Sequence, residues 1–232
     1  MDNYKNKMDN ALIIFSRLPI GRETKTRLAG LLSEAERESL HSAMWQDVFN
    51  AVSDLREMIN LDVYLYWTGS GSIEDYAEFI PDFFNTREQC SGSLGNRMCQ
   101  AMHEIFKYKY RRVCLIGSDI PSVSPDKLKN AFKILESNDA VIGAALDGGY
   151  WLIGMRRFIP EAFNLSPRSW GKGSVFQATL EHMASHGVSC GLCDALPDID
   201  TPEDIAAFLN HAELANKHTA NMLKNMLNSL EI

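Results

Sequence analysis

The sequence has little of what marks secreted, membrane-spanning or nucleic-acid-binding proteins. Its five cysteines are scattered and odd in number, which argues against a disulfide scaffold and favours a reducing cytoplasm. The longest apolar run near the start, residues 11–15, is far too short to cross a bilayer, so we expect no membrane contact. The first ten residues are polar and mixed in charge, without the hydrophobic core of a signal peptide.

An excess of positive charge is also missing. The 30 acidic residues outnumber the 23 basic ones, which gives a formal net charge of −7 at pH 7. Such a chain repels phosphate backbones, so we expect no nucleic-acid partner. A small anionic ligand is compatible with this charge where basic residues gather in one pocket.

Short apolar runs alternate with amphipathic segments along the whole chain. Strands are predicted at residues 11–15, 61–67, 112–117, 140–144 and 188–192, with a further apolar run at 150–155. Helices are predicted from a Ser33–Glu36 capping box to about residue 58, at 96–108, after Ser124, at 175–185, and as one long helix from Thr201. This alternation predicts an α/β fold, with a Rossmann-like three-layer α/β/α arrangement around a mostly parallel sheet.

The chain shows no linker and no internal repeat. We therefore expect a single domain over residues 11–210, preceded by a polar extension at 1–10 and followed by a helical extension at 211–232. The last extension carries an apolar stripe at helical spacing: Leu223, Met226, Leu227 and Leu230. The stripe indicates either packing on the core or a homodimer contact.

A basic loop follows the first predicted strand. Four cations, Arg17, Arg22, Lys25 and Arg27, fall within eleven residues, and Gly21 among them lets the backbone approach a ligand closely. Ligands of open parallel sheets bind at the carboxyl ends of the strands, where such cations suit a diphosphate. The alternative is a solvated basic turn.

Carboxylates follow two other predicted strands. Asp119 stands directly after a wholly apolar strand, where core packing does not require a charge, and Asp200 precedes a helix start without being needed as its cap. Mg²⁺ and Mn²⁺ take oxygen ligands and share them with phosphates. We therefore expect Asp119 and Asp200 to converge on one metal; the alternative for Asp119 is a side chain that only stabilises its turn.

A glycine-rich turn lies between these two carboxylates in the sequence. It reads Asp147-Gly148-Gly149-Tyr150. The glycines permit a tight turn and close approach of a substrate, while Asp147 supplies a carboxylate. Asp147 is the best candidate for a general base.

Several stretches together resemble one known family. They are FSRLPIGRETKTRLA, GSLGNRM, LIGSDIPSV, AALDGGYWLIGM, WGKGSVFQATL and LPDIDTPEDI, which span roughly residues 11–209. In order and spacing they resemble the bacterial DUF2064 family, proteins of unassigned function described as glycosyltransferases of the GT-A type, some of them in arsenosugar biosynthesis. That family is related to molybdopterin-cofactor nucleotidyltransferases and other nucleotide-diphospho-sugar transferases.

The resemblance implies a role for each matching residue. It places the metal on Asp119 and Asp200 and the first loop on the nucleotide phosphates. The expected nucleotide- and phosphate-binding set is Arg17, Gly21, Arg22, Lys25, Arg27, Arg97 and Ser118. The expected acceptor set is Gly148, Gly149, Tyr150 and Trp170.

We therefore predict a Mg²⁺- or Mn²⁺-dependent glycosyltransferase that takes a nucleotide-diphospho-sugar donor and a small-molecule acceptor. The alternative is nucleotidyl transfer from an NTP to a phosphorylated or cofactor acceptor, which uses the same fold and a similar metal site and releases pyrophosphate. A third alternative is a non-catalytic nucleotide-binding module, which would have no need for the carboxylates at the strand ends. The sequence does not separate the first two.

Overall fold

The computed structural model describes residues 9–165, 175–210 and 217–229, with side chains to residue 226. One sheet contains seven strands: β1 (Asn10–Arg17), β2 (Leu61–Thr68), β3 (Phe84–Glu88), β4 (Arg112–Gly117), β5 (Ala140–Ala145), β6 (Tyr150–Met155) and β7 (Cys190–Leu196). Their order is β3-β2-β1-β4-β6-β5-β7. Neighbouring strands are parallel except around β6, which runs antiparallel to β4 and β5. The expected mostly parallel sheet is confirmed.

Helices cover both faces of this sheet. They are α1 (Glu34–Met58), α2 (Leu94–Phe106), α3 (Pro125–Ile134), α4 (Val175–Ser185), α5 (Pro202–Leu209) and α6 (His218–Ser229), with short 3-10 segments at Thr26–Leu28, Ile73–Phe79 and Pro160–Ala162. Helices α1 and α3 pack on one face, and α2 and α4 pack on the other. The three-layer α/β/α arrangement predicted from the alternation of strands and helices is therefore confirmed.

The alternation of side chains along β1 builds both outer layers. Leu12 and Ile14 pack with α1 and α3, whereas Ile13 and Phe15 pack with α2 and α4. Because both faces are covered, the strand is apolar almost to its carboxyl end. We call these two faces of the sheet the α1 face and the α2 face.

The predicted helix caps are confirmed. The Ser33 hydroxyl accepts a hydrogen bond from the Glu36 N–H, and the Glu36 carboxylate accepts one from the Ser33 N–H, so the capping box starts α1 as expected. Ser124 caps α3, whose first residue is Pro125. The caps fix where each helix begins after its preceding loop.

Two elements differ from the sequence prediction. Strand β3 was not predicted, because it is an edge strand in which Phe84 alone is buried and no apolar run marks it. The long helix expected from Thr201 ends at Leu209, and α6 is a separate helix. The buried Asp47 carboxylate accepts the first backbone N–H groups of α6, from His218 at 2.8 Å and Thr219 at 2.9 Å.

An irregularity between β5 and β6 decides where one predicted site residue lies. Gly143 pairs with Leu152 and Ala144 pairs with Tyr150, so Trp151 is the extra residue of a β-bulge. Trp151 and Leu152 both pack on the α1 face as a result. Tyr150 packs on the α2 face.

The apolar stripe of the C-terminal helix packs inward. Leu223 and Met226 are buried in a third cluster with α1 and α5. These two side chains are therefore not available for a homodimer contact. Leu230 and the Leu227 side chain lie outside what the structure describes. Of the polar extension expected at 1–10, only residues 9 and 10 are described, and Asn10 already belongs to β1.

None of the helices in the described ranges is both long enough and apolar enough to cross a bilayer.

Candidate active site

A cleft of about 740 Å³ opens at the carboxyl ends of β1, β4, β5 and β7, the edge at which open α/β sheets bind ligands. Antiparallel β6 begins at the same edge. The cleft brings together ten of the predicted site residues: Arg17, Lys25, Arg27, Arg97, Ser118, Asp119, Asp147, Gly149, Tyr150 and Asp200.

Three of the predicted residues do not line this cleft. Gly21 packs against the first turn of α1, where a Cβ atom would lie 2.0 Å from the Glu34 carbonyl oxygen, so glycine is required for packing. Arg22 points away and donates to the Ser70 hydroxyl at 3.1 Å. Gly148 has a φ of +90°, and its carbonyl accepts the Phe176 N–H. The fourth, Trp170, lies outside the described residues.

Lys25 and Asp119 form an ion pair in the cleft. The Lys25 backbone is left-handed, with a φ of 48°, a conformation that costs a non-glycine residue of order 1 kcal/mol. It directs the side chain, 2% exposed, into the protein, where Nζ lies 3.0 Å from Asp119 Oδ1. Burial is the largest single influence on the pKa of Asp119 and acts to raise it, but the Lys25 charge, the Lys25 hydrogen bond and other nearby positive charges together hold the pKa below its ordinary value.

Backbone contacts bring the second acidic segment beside the first. The Lys25 ammonium also donates to the Ile199 carbonyl at 2.6 Å, and the Ile199 N–H donates to the Asp119 carbonyl. The next residue, Asp200, pairs with Arg27 at 2.7 Å. Asp119 and Asp200 therefore lie at one end of the cleft, each with a cation from the first loop. We call Lys25, Arg27, Asp119 and Asp200 the carboxylate side of the cleft.

Two further carboxylates border this end. Asp147 is exposed, and its Oδ1 accepts the Gly149 N–H at 2.8 Å, so it holds the tight turn in place. Burial, followed by the charge of Asp147, raises the pKa of Asp198 to about 6. Asp198 precedes α5 but does not cap this helix, and its side chain lines the cleft.

The donor set fits a hard divalent cation that a substrate completes. All the carboxylates of the cleft offer oxygen ligands, which Mg²⁺ and Mn²⁺ prefer. Within the described ranges, no three His, Cys, Asp or Glu side chains are arranged to hold an ion by themselves. Mg²⁺ in phosphate-transferring sites is commonly bound by one or two carboxylates plus substrate phosphates, and this arrangement provides that number.

A buried polar network supports the carboxylate side from below. The His41 Nδ1 atom lies 2.6 Å from the Thr24 hydroxyl, and its Nε2 atom lies 3.9 Å from Asp119 Oδ1. The Ser16 hydroxyl accepts the Trp45 N–H and lies 2.6 Å from the Ser118 hydroxyl. Burial lowers the pKa of His41 to about 4, so the ring is neutral at pH 7.

Sequence reasoning missed two members of the site. His41 lies beside the apolar stripe of α1, and nothing in that pattern distinguishes it from a packed core residue. Gln89 follows the unpredicted strand β3; its amide donates to the Ser16 carbonyl at 3.0 Å and the Tyr66 carbonyl at 2.8 Å. Its Oε1 atom accepts from Arg97 Nη1 at 2.5 Å. We call Arg17, Gln89, Arg97 and Tyr150 the arginine side of the cleft.

Comparison with known proteins assigns the chain to a family. A family model described as an uncharacterized protein conserved in bacteria (DUF2064) matches residues 51–172, which is more than half of the chain. The chain belongs to this family. The resemblance noted in its motifs is thereby confirmed.

Two relatives of known name match nearly the whole length of the DUF2064 chain. The 2-phospho-L-lactate guanylyltransferase of Methanosphaera stadtmanae is 26% identical over 220 residues, covering 92% of this chain and 90% of the relative. The enzyme of the same name from Methanothermobacter thermautotrophicus is 28% identical over 201 residues, covering 84% of each. Their named activity supports the nucleotidyl-transfer alternative better than glycosyl transfer.

Solved structures show the same architecture. The crystal structure of a proposed nucleotide-diphospho-sugar transferase from Desulfovibrio desulfuricans G20 superposes with a TM-score of 0.86 at 26% identity, over 97% of both chains. The 4-diphosphocytidyl-2C-methyl-D-erythritol synthase of Anaerococcus prevotii gives a TM-score of 0.57 at 14% identity, covering 86% of this chain and 96% of that one. The second match shows the shared fold alone.

Proposed function

We propose that this chain is a metal-dependent nucleotidyltransferase, which moves a nucleoside monophosphate from an NTP to a small phosphorylated acid and releases pyrophosphate. The observation that carries the proposal is the pairing of the two strand-end carboxylates with cations of the first loop in one cleft. Such a site provides both metal ligands and phosphate ligands. The named activity of the relatives favours nucleotidyl over glycosyl transfer for it.

The reaction is an in-line displacement at the α-phosphorus of the nucleotide. A phosphate oxygen of the acceptor attacks this phosphorus, the new O–P bond forms, and the bond to the β-phosphate oxygen breaks with loss of pyrophosphate. The attacking oxygen is already ionised at pH 7, so the step needs no proton transfer. Asp147 is then needed for the turn that it holds rather than as a general base.

The carboxylate side provides the charges for this displacement. Asp119 and Asp200 would hold Mg²⁺ or Mn²⁺, which supplies positive charge to the phosphates when bound. Lys25 and Arg27, now paired with these carboxylates, would then exchange part of their bonding from carboxylate to phosphate oxygens and would remain beside the leaving pyrophosphate. His41 and Thr24 fix the loop that carries Lys25.

The names of the relatives indicate which nucleotide and which acceptor to test first. GTP is the donor and 2-phospho-L-lactate is the acceptor that the name of those enzymes indicates, and an acceptor of that kind carries a phosphate next to a carboxylate. Glycosyl transfer is the second candidate, because the structurally similar Desulfovibrio protein is described as a proposed nucleotide-diphospho-sugar transferase.

A thermal-shift panel tests the proposal without knowledge of the acceptor. The protein is melted with GTP, CTP, ATP and UTP, and with UDP-, GDP-, ADP- and CMP-sugars, each with Mg²⁺, Mn²⁺ or EDTA. A ligand that binds the folded state raises Tm by mass action. We expect metal-dependent stabilisation by an NTP, largest for GTP. Stabilisation by a nucleotide sugar alone would contradict nucleotidyl transfer, and no stabilisation by any of them would contradict both candidates.

A further inference from the structure

The arginine side of the cleft holds two cations that have no acidic partner in the part of the chain that the structure describes. Arg17 follows Phe15 by two residues on β1, so alternation along the strand directs its side chain to the α2 face. Arg97 lies in the first two turns of α2, which covers that same face. Among the described residues, neither guanidinium is within ion-pairing distance of a carboxylate.

The Arg97 guanidinium is held in a fixed orientation. Gln89 bridges from the Ser16 and Tyr66 carbonyls to Arg97 Nη1, so the arginine is tied to the end of β1. Its Nε atom is buried and makes no hydrogen bond within the described part of the chain. Burial lowers the pKa of Arg97, and the charge of Arg17 lowers it further. Both arginines line the same cleft.

The Tyr150 hydroxyl is a second buried donor at the same side of the cleft. The β-bulge at Trp151 turns Tyr150 onto the α2 face, where the ring packs with the cluster that contains Phe15, Met98 and Leu115. The Tyr150 hydroxyl is buried and has no hydrogen-bond partner among the described residues. Buried donors without partners are rare in folded proteins, and a bound ion or ligand can supply the missing partner.

These features select the chemistry of the ligand. Two adjacent cations repel each other, and an anion between or beside them relieves this repulsion. An uncharged nucleobase does not. A planar guanidinium binds a carboxylate or phosphate through two parallel hydrogen bonds, and a tyrosine hydroxyl adds a third donor. Phe15, Met98 and Leu115 leave an apolar wall for a short carbon skeleton.

We propose that Arg17, Arg97 and the Tyr150 hydroxyl form the subsite for the carboxylate of the acceptor. This inference rests on the proposed function, since it divides the two substrates between the two sides of the cleft. Lys25 and Arg27 lie beside the carboxylates that would hold the metal, so the triphosphate would bind at the carboxylate side. The acceptor phosphate meets the nucleotide there, and its carboxylate extends to the arginine side. The resemblance instead assigned Arg17 and Arg97 to the nucleotide phosphates.

The test compares two ligands that differ only in the carboxylate. Isothermal titration measures the Kd of 2-phospho-L-lactate, of isopropyl phosphate, in which a methyl group replaces the carboxylate, and of GTP with Mg²⁺. The proteins are the full chain, Arg17→Gln, Arg97→Gln and Arg97→Lys. Arg111→Gln is the matched control, because this exposed arginine pairs with Asp9 at the opposite end of β4.

We expect the unchanged protein to prefer 2-phospho-L-lactate by about tenfold to a hundredfold, the usual range for a charge-assisted pair. In Arg17→Gln and Arg97→Gln this preference collapses, while the Kd for GTP changes less than roughly threefold. Arg97→Lys keeps part of the preference, since it retains the charge but loses the two parallel bonds. Should Arg97→Gln fail to fold, the exposed Arg17 supplies the same test.

Three results would overturn the subsite. In the first, both glutamine variants still prefer 2-phospho-L-lactate to isopropyl phosphate. In the second, the substitutions raise the Kd for GTP as much as the Kd for 2-phospho-L-lactate. In the third, the unchanged protein binds neither 2-phospho-L-lactate nor isopropyl phosphate. The proposed function fails separately, if no NTP yields pyrophosphate with any acceptor. An arginine-dependent preference for the carboxylate would stand even then.

Discussion

The carboxylate side and the arginine side of the cleft each carry two cations, but they treat them differently. Lys25 and Arg27 are each bonded to a carboxylate, at 3.0 Å and 2.7 Å. Arg17 and Arg97 have no such partner among the described residues, and two buried donors on that side make no hydrogen bond there. On the carboxylate side, a metal and the phosphates bound to it would replace the existing ion pairs. On the arginine side, the cations and donors are already available to bind an anion.

The difference also separates what each side does for stability. The paired ions and the network around His41 hold the first loop, α1 and the end of β4 together. The unsatisfied donors of the arginine side cost stability in the absence of a ligand, because a buried polar group without a partner loses about 1–3 kcal/mol. Substitutions on the carboxylate side should therefore lower both activity and stability. Substitutions of the unsatisfied donors on the arginine side should lower substrate binding and raise the stability of the free protein.

The largest effect is expected from Asp119→Asn. The substitution keeps the shape of the side chain but removes the charge that pairs with Lys25 and would bind the metal. We expect turnover to fall by about a hundredfold to a thousandfold, with loss of metal-dependent stabilisation by the nucleotide. Asp126→Asn, in the first turn of α3 away from this cleft, is the matched control. Metal-dependent binding that persists in Asp119→Asn would remove the carboxylate side from the mechanism.

The next effect concerns the support beneath the carboxylate side. His41→Ala deletes a fully buried ring and its contact with Thr24, so we expect urea unfolding to show a loss of about 2–4 kcal/mol. His182→Ala, at a half-buried position of α4 where the ring contacts the exposed His186 ring, should change stability by less than about 0.5 kcal/mol. The preference for the acceptor carboxylate should survive in His41→Ala, and its loss would mean that the two sides are not independent.

A smaller effect of opposite sign is expected from Tyr150→Phe. Removing the unpartnered hydroxyl should stabilise the free protein by up to about 1 kcal/mol and weaken binding of 2-phospho-L-lactate roughly threefold to tenfold. Tyr110→Phe is the counterpart, because that hydroxyl donates to Asp62 at 2.6 Å, and we expect it to lose about 1–2 kcal/mol. Equal destabilisation by both substitutions would show that the Tyr150 hydroxyl has a protein partner.

The smallest effect uses the cysteines as probes. Burial raises the pKa of Cys190 and of Cys193 to about 11, so only about one thiol in a thousand is ionised at pH 8. Their alkylation by iodoacetamide should be slow and should quicken about tenfold per pH unit between pH 8 and 10. Cys90 is exposed and directly follows Gln89, which holds Arg97, so we expect 2-phospho-L-lactate, but not GTP, to slow its modification. Mass spectrometry that finds Cys190 modified first at pH 8 would contradict this order.

The sequence predicted the fold where apolar runs and caps mark it. The continuous apolar character of β1 and β4, the Ser33–Glu36 box and the Ser124 cap are local signals, and each appears as expected. The antiparallel direction of β6 could not be predicted from the sequence, because a buried strand has the same run of apolar residues in either direction. The break between α5 and α6 depends on a distant residue, Asp47, whose carboxylate starts the second helix.

The candidate site was predictable to the extent that its residues follow strands. Lys25, Asp119, Asp147 and Asp200 were selected because carboxyl ends of parallel strands meet at one edge, and all four line the cleft. The pairing of cations with carboxylates was not predictable, since it depends on side-chain burial and on the left-handed backbone of Lys25. Gln89 was missed because its role arises from contacts with two other strands.

The central claim is that one cleft joins a nucleotide to a phosphorylated acid. ³¹P NMR of the protein with GTP, Mg²⁺ and 2-phospho-L-lactate tests it directly, with UDP- and GDP-sugars in parallel samples. We expect equal amounts of free pyrophosphate and of a product in which the acceptor phosphorus is linked through oxygen to the α-phosphorus of the nucleotide. Release of a nucleoside diphosphate from a nucleotide sugar, with no pyrophosphate from GTP, would contradict it.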